Sequence, residues 1–136
     1  MNSWDLVIRE RDMRETKYWT WHMLAGVIIL VLLGIHIITV HMWSLLGWFN
    51  PAGGKATEWA NLIARARLGI YAATYIVLLA AALYHGLYGF RTVLFELGLK
   101  PVSQRFVNIL FIVMGTCLFT LGAWVTLRFH WIAKAT

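Results

Sequence analysis

Residues 85–96 read His-Gly-Leu-Tyr-Gly-Phe-Arg-Thr-Val-Leu-Phe-Glu and close a long apolar run. An imidazole at membrane depth is costly to keep there and marks a functional position. On the 3.6-residue helical period, Gly89 and Glu96 fall within roughly 40° of the direction of His85. One helix face then carries an imidazole, a glycine one turn away and a carboxylate near its end. The glycine leaves a flat recess beside the ring, of a shape that a planar macrocycle could fill. The chemistry this pattern suits is axial ligation of iron by a neutral imidazole.

Three of the other four histidines lie in or beside apolar runs. His22 and His36 are fourteen residues apart, which returns them to nearly the same helix face about 21 Å apart along the axis. The stripe between them passes through Ala25, Gly26, Ile29 and Leu33, small and then branched, as close helix packing in lipid requires. His36 and His85 each have glycines nearby, Gly26 and Gly34 for the first and Gly86 and Gly89 for the second. Haem b is the favoured cofactor, because imidazole is its usual axial ligand in membrane cytochromes and no Cys or Met is better placed. Zinc is disfavoured, since no carboxylate or thiolate accompanies any histidine pair. The plainer reading is that each histidine hydrogen-bonds a neighbouring helix. His41 and His130 read as interfacial residues. Arg91 is either a partner for a haem propionate or quinone headgroup, or an ordinary positive anchor; Glu96 can pair with it at the surface.

These residues need membrane helices to position them. The chain has 136 residues, 60% hydrophobic and 13% charged, against about 25% charged in soluble domains. Residues 18–54, 68–90 and 106–127 contain no Asp, Glu, Lys or Arg, and about 20 apolar residues suffice to cross the hydrocarbon. The expected fold is all-α, with spans over about 18–43, 63–95 and 105–129. Residues 44–61, with Asn50-Pro51 and Gly53-Gly54, read as an interfacial loop, and 97–103 as a helix stop and restart around Gly98 and Pro101. Tyr18, Trp19, Trp21, Trp43, Trp48, Trp124 and Trp131 form the expected aromatic belts.

Residues 1–17 lack the form of a signal peptide and read as a soluble arm, in which Trp4, Leu6, Val7 and Ile8 offer an apolar surface to a soluble partner. A short tail, 130–136, follows the last span. The net charge of +6 flanks the spans and points to a bilayer, not a nucleic acid. With the N-terminus inside, the inner side holds Arg9, Arg11, Arg14, Lys17, Arg91, Lys100 and Arg105; the outer side holds Lys55, Arg65, Arg67, Arg128 and Lys134. That balance favours N-in. Cys117 is the only cysteine, so no intrachain disulfide forms, and it reads as an inert membrane thiol.

The series His85, Gly89, Arg91, Glu96 resembles the His-x3-Gly-x-Arg-x4-Asp pattern on the second helix of the cytochrome b membrane-anchor subunits of succinate dehydrogenase and fumarate reductase (complex II). Gly86 and Thr92 look like the His-Gly-x-x-Gly-x-Arg-Thr form of anchors with two-haem relatives. Gly26 through Gly34-Ile35-His36 is similar to the first helix of that family. The resemblance implies one half of a six-helix anchor, completed by a second membrane anchor subunit and carrying an iron–sulfur subunit and a flavoprotein on its inner face. It implies one or two haems b shared with the partner, and a quinone as electron acceptor. It also implies residence in an energy-transducing membrane such as a bacterial or archaeal cytoplasmic membrane.

His85 matches the family's ligand on the second helix, and His36 the first-helix ligand of two-haem members. Two departures stand out. Glu96 replaces the usual Asp, and His22-Met23-Leu24-Ala25-Gly26 lacks the Arg and Ser that many relatives carry. Trp19, Trp21 and His22 are the substitutes this chain offers for the quinone. Two other readings remain: a standalone di-haem cytochrome, which requires intrachain histidine pairs, and a haem-free scaffold in which the histidines only pack.

Overall fold

The structure is a computed structural model that describes residues 3–41, 55 and 57–135, the side chains of 3–8, 11, 12, 14 and 15 excepted. Trp43, Trp48 and the Asn-Pro and Gly-Gly turns expected in the first loop lie outside the described residues, as do the apolar side chains of the N-terminal arm. Among the described residues the chain forms four helices and no strand: α1 (Ser3–His41), α2 (Trp59–Arg67), α3 (Gly69–Glu96) and α4 (Pro101–Ala135). Three segments are long and apolar enough to cross a bilayer, Thr16–His41, Gly69–Glu96 and Pro101–Ala135. The chain is an all-α membrane protein with three candidate spans.

The helices outrun the hydrocarbon. At 1.5 Å per residue α3 is about 42 Å long and α4 about 52 Å, against a core of about 30 Å, so both project at their ends. The expected arm at 3–17 is helical and continuous with the first span, and the expected tail is the last turns of α4. Mixed charge at 9–17 does not stop a helix when no Gly or Pro interrupts it.

The expected second span is divided. Leu68 adopts an extended conformation (φ −85°, ψ 112°) and separates α2 from α3. The break is fixed by contacts that periodicity does not reveal. Arg67 Nε donates to the carbonyl of Ala133 at 2.9 Å, and His130 Nδ1 hydrogen-bonds the carbonyl of Ala66. Trp59 meets Phe129 edge-on at 6.2 Å. Thus α2 is clasped to the end of α4, and His130 serves that clasp. At the other end of α3, Gly98 in the left-handed region (φ 74°) closes the helix, as glycine without a Cβ does readily. Pro101 opens α4.

α3 is the middle element, with α1 and α4 each packed antiparallel against it. Ala25, Ala72 and Ala81 are buried, whereas Leu30, Ile109 and Ile112 are 74%, 63% and 68% exposed. Small residues inside and large ones outside is the order expected where lipid, not water, covers the surface. Between α3 and α4, Leu79 and Leu87 seat in the notches of Gly122 and Gly115. A Cβ at Gly122 would lie 2.6 Å from Leu79 Cδ2, and one at Gly115 would lie 2.9 Å from Leu87 Cδ1. A Leu79 rotamer change accommodates Gly122→Ala. Gly122→Leu forces the helices apart and is expected to cost about 1–3 kcal/mol, read as a lower midpoint in a denaturing-detergent titration of unfolding.

Candidate functional site

The faces of α1 and α3 that meet carry three of the histidines, as the helical period predicts. His22 on α1 and His85 on α3 stack face to face, with ring centroids 4.1 Å apart and planes 8° from parallel. Glycines make this possible reciprocally. A Cβ at Gly26 would stand 3.1 Å from His85 Cε1, and a Cβ at Gly89 would stand 3.1 Å from His22 Cε1. Each ring thus lies over the glycine of the opposite helix. The recess beside Gly89, expected to suit a macrocycle, receives the His22 imidazole in this chain.

The hydrogen bonding assigns the His85 tautomer. Its Nδ1 lies 3.1 Å from the carbonyl oxygen of His22. A carbonyl only accepts, so Nδ1 carries a proton, and in the neutral ring Nε2 keeps its lone pair. That is the form in which histidines ligate metals, with the second ring nitrogen donating to a backbone carbonyl. His22 Nδ1 is buried and has no hydrogen-bond partner among the described residues. Tyr88 flanks the His22 ring at 5.2 Å, and the Tyr84 hydroxyl donates to the Tyr18 carbonyl at 3.1 Å, tying α1 to α3 beside the pair.

Two stacked imidazoles cannot be the opposed axial ligands of one iron, since each must point a ring nitrogen, not a ring face, at the metal. No group of three or more His, Cys, Asp or Glu side chains converges among the described residues. At this level the chain offers one imidazole, His85, backed by His22, and the two cavities described below are lined by neither ring.

His36 lies about 21 Å further along α1. Its ring meets Tyr75 of α3 edge-on at 5.6 Å, beside a cavity of about 300 Å³ also lined by Leu32, Ile35, Thr39 and Leu78. Leu32 and Ile35 line this cavity, whereas Leu33, expected in the stripe, does not. His41 is exposed.

Arg91 diverges from the histidines. Its Nε donates to Asn108 Oδ1 of α4 at 2.5 Å, and its guanidinium carbon sits 4.2 Å from the centre of the Phe95 ring. It lines a groove between α3 and α4 that His85 does not reach. Glu96 borders the same groove, without an ion pair to Arg91 among the described residues. Trp19 reaches this groove and Trp21 does not, and both are more than half exposed.

Sequence reasoning missed Tyr75 and Asn108. Asn108 had a legible signal, as a polar amide inside an apolar run; Tyr75 had none beyond its place in a span. The chain matches no protein-family model, no curated protein and no solved structure.

Proposed function

We propose that this chain is a haem-b-binding membrane anchor subunit of a succinate:quinone oxidoreductase. In that role it holds the flavoprotein and iron–sulfur subunits at the membrane and helps form the quinone site. The observation that carries the reading is the His85 tautomer. A membrane histidine whose Nδ1 is committed to a carbonyl presents Nε2 as a ligand, and no hydrogen bond occupies that atom among the described residues. His85 would hold the inner haem, buttressed by His22, and His36 would hold a second. When bound, haem supplies a one-electron relay.

The stacking of His22 on His85 favours a ligand from a second anchor subunit over a standalone di-haem cytochrome, because it leaves one usable imidazole at each level. Trp19, Trp21 and His22 lie towards the same end of the spans and are the residues offered to the quinone. Seven Lys/Arg flank that end against five at the other, a balance that favours N-in.

Purification through a tag on this chain tests the whole reading. Co-purified flavoprotein together with a b-type band in the reduced-minus-oxidised spectrum supports it. A purified complex with neither sinks it; a b-type band without flavoprotein would return the standalone cytochrome. The second haem has its own test. His36→Ala is expected to lower the haem-to-flavin ratio by about half, by pyridine haemochrome, and to spare the His85 level. An unchanged ratio would make His36 a packing residue against the Tyr75 ring.

A further inference from the structure

The groove between α3 and α4, which Thr16, Tyr18 and Trp19 of α1 also border, has a volume of about 1390 Å³ and two chemically distinct ends. One end is apolar, walled by Ala80, Leu83, Leu87, Ile112 and Phe119; the other carries Arg91 and Asn108, with Glu96 at its border. Along α3 it extends from Ala80 to Glu96, about 24 Å at the helical rise. One leaflet contributes about 15 Å of hydrocarbon, so the groove spans an acyl chain and the headgroup region above it. This is the shape of a membrane lipid, not of a compact solute.

The polar end selects the headgroup. Arg91 spends one N–H on Asn108 and rests its guanidinium on Phe95. Its remaining N–H groups meet no acceptor among the described residues, and no carboxylate lies within ion-pairing distance. A positive fork pre-oriented by an amide and a ring matches the oxygens of a phosphate. Basic pockets between membrane helices are known to hold anionic headgroups in this way. A neutral quinone ring offers such a cation no counter-charge.

We propose that the α3–α4 groove is a binding site for an anionic diacyl phospholipid, with Arg91 as its phosphate anchor. It rests on the membrane spans and the groove, independently of haem.

The test uses the complex purified through the full-length chain and spin-labelled lipids. Electron paramagnetic resonance reports the motionally restricted fraction for phosphatidylglycerol and for phosphatidylcholine. The native complex is expected to prefer phosphatidylglycerol by about fivefold, the ratio one basic residue gives at a charged lipid surface. Arg91→Gln abolishes the preference, whereas Arg128→Gln, towards the other end of α4, leaves it intact. Ile112→Trp narrows the groove and lowers restriction of both lipids. Absence of a preference in the native complex, or its survival in Arg91→Gln, overturns the proposal. A photo-crosslinker at Ile112 that captures a protein subunit or a quinone instead of phospholipid overturns it equally.

Discussion

A complex carrying His85→Ala is expected to lose the inner haem almost completely while its helices remain packed. The two consequences differ greatly in size. Structurally, the substitution removes one hydrogen bond to the His22 carbonyl and one face-to-face ring contact. An interhelical hydrogen bond in a membrane averages about 0.6 kcal/mol, and the His22 carbonyl keeps its own helical partner. For the proposed cofactor, the substitution removes an axial bond, which no neighbouring side chain on α3 replaces. Haem per flavin, with the visible spectrum of the reduced complex, measures it. Retention of the native ratio and spectrum in His85→Ala would show that this imidazole ligates nothing.

Gly89→Leu is expected to displace the same haem by a different route, one that leaves every donor atom in the chain. A Cβ at position 89 already falls 3.1 Å from His22 Cε1, and that ring is backed by His85 and cannot rotate away as a leucine tip can. Further carbons drive α1 off α3. Overpacking of this kind costs about 1–3 kcal/mol, offset only in part by the roughly 1 kcal/mol by which Leu exceeds Gly as a helix former. The stacked pair opens, the His22 carbonyl leaves Nδ1, and the His85 tautomer is no longer fixed. Loss of haem in Gly89→Leu, with a smaller loss in Gly89→Ala, would tie the cofactor to helix spacing. Normal haem content in Gly89→Leu would detach the glycine from the site.

The parts of this architecture that depend on periodicity were legible in the residues. Three uncharged runs predict three membrane helices, and the 14-residue interval puts His22 and His36 on the face that meets α3. The 85/89 pair likewise marks the face of α3 that meets α1. What periodicity cannot convey is which side chain fills which notch. Gly89 reads as a vacancy beside His85 along one helix, yet the neighbour that takes the vacancy comes 67 residues earlier in the chain. The break at Leu68 was hidden for the same reason. It depends on Arg67 and His130 reaching carbonyls across the α2–α4 clasp, and the lone Gly69 beside it is too weak a local sign to announce it. Arg91 was legible as a cation near a membrane surface; its turn towards Asn108 required the third span.

The middle position of α3 has a consequence for how the protein is made. Ribosomes deliver α1 first, but the helix it packs on is synthesised later, after the intervening segment and α2. Until then His22 and His36 have no opposite helix, and two imidazoles sit in the nascent bilayer or against the insertion machinery. α3 and α4, by contrast, are neighbours in time as well as in space and form a hairpin through their Gly115 and Gly122 notches as they emerge. α1 therefore waits for α3, and its docking both seats the two rings and fixes the Nδ1 proton of His85.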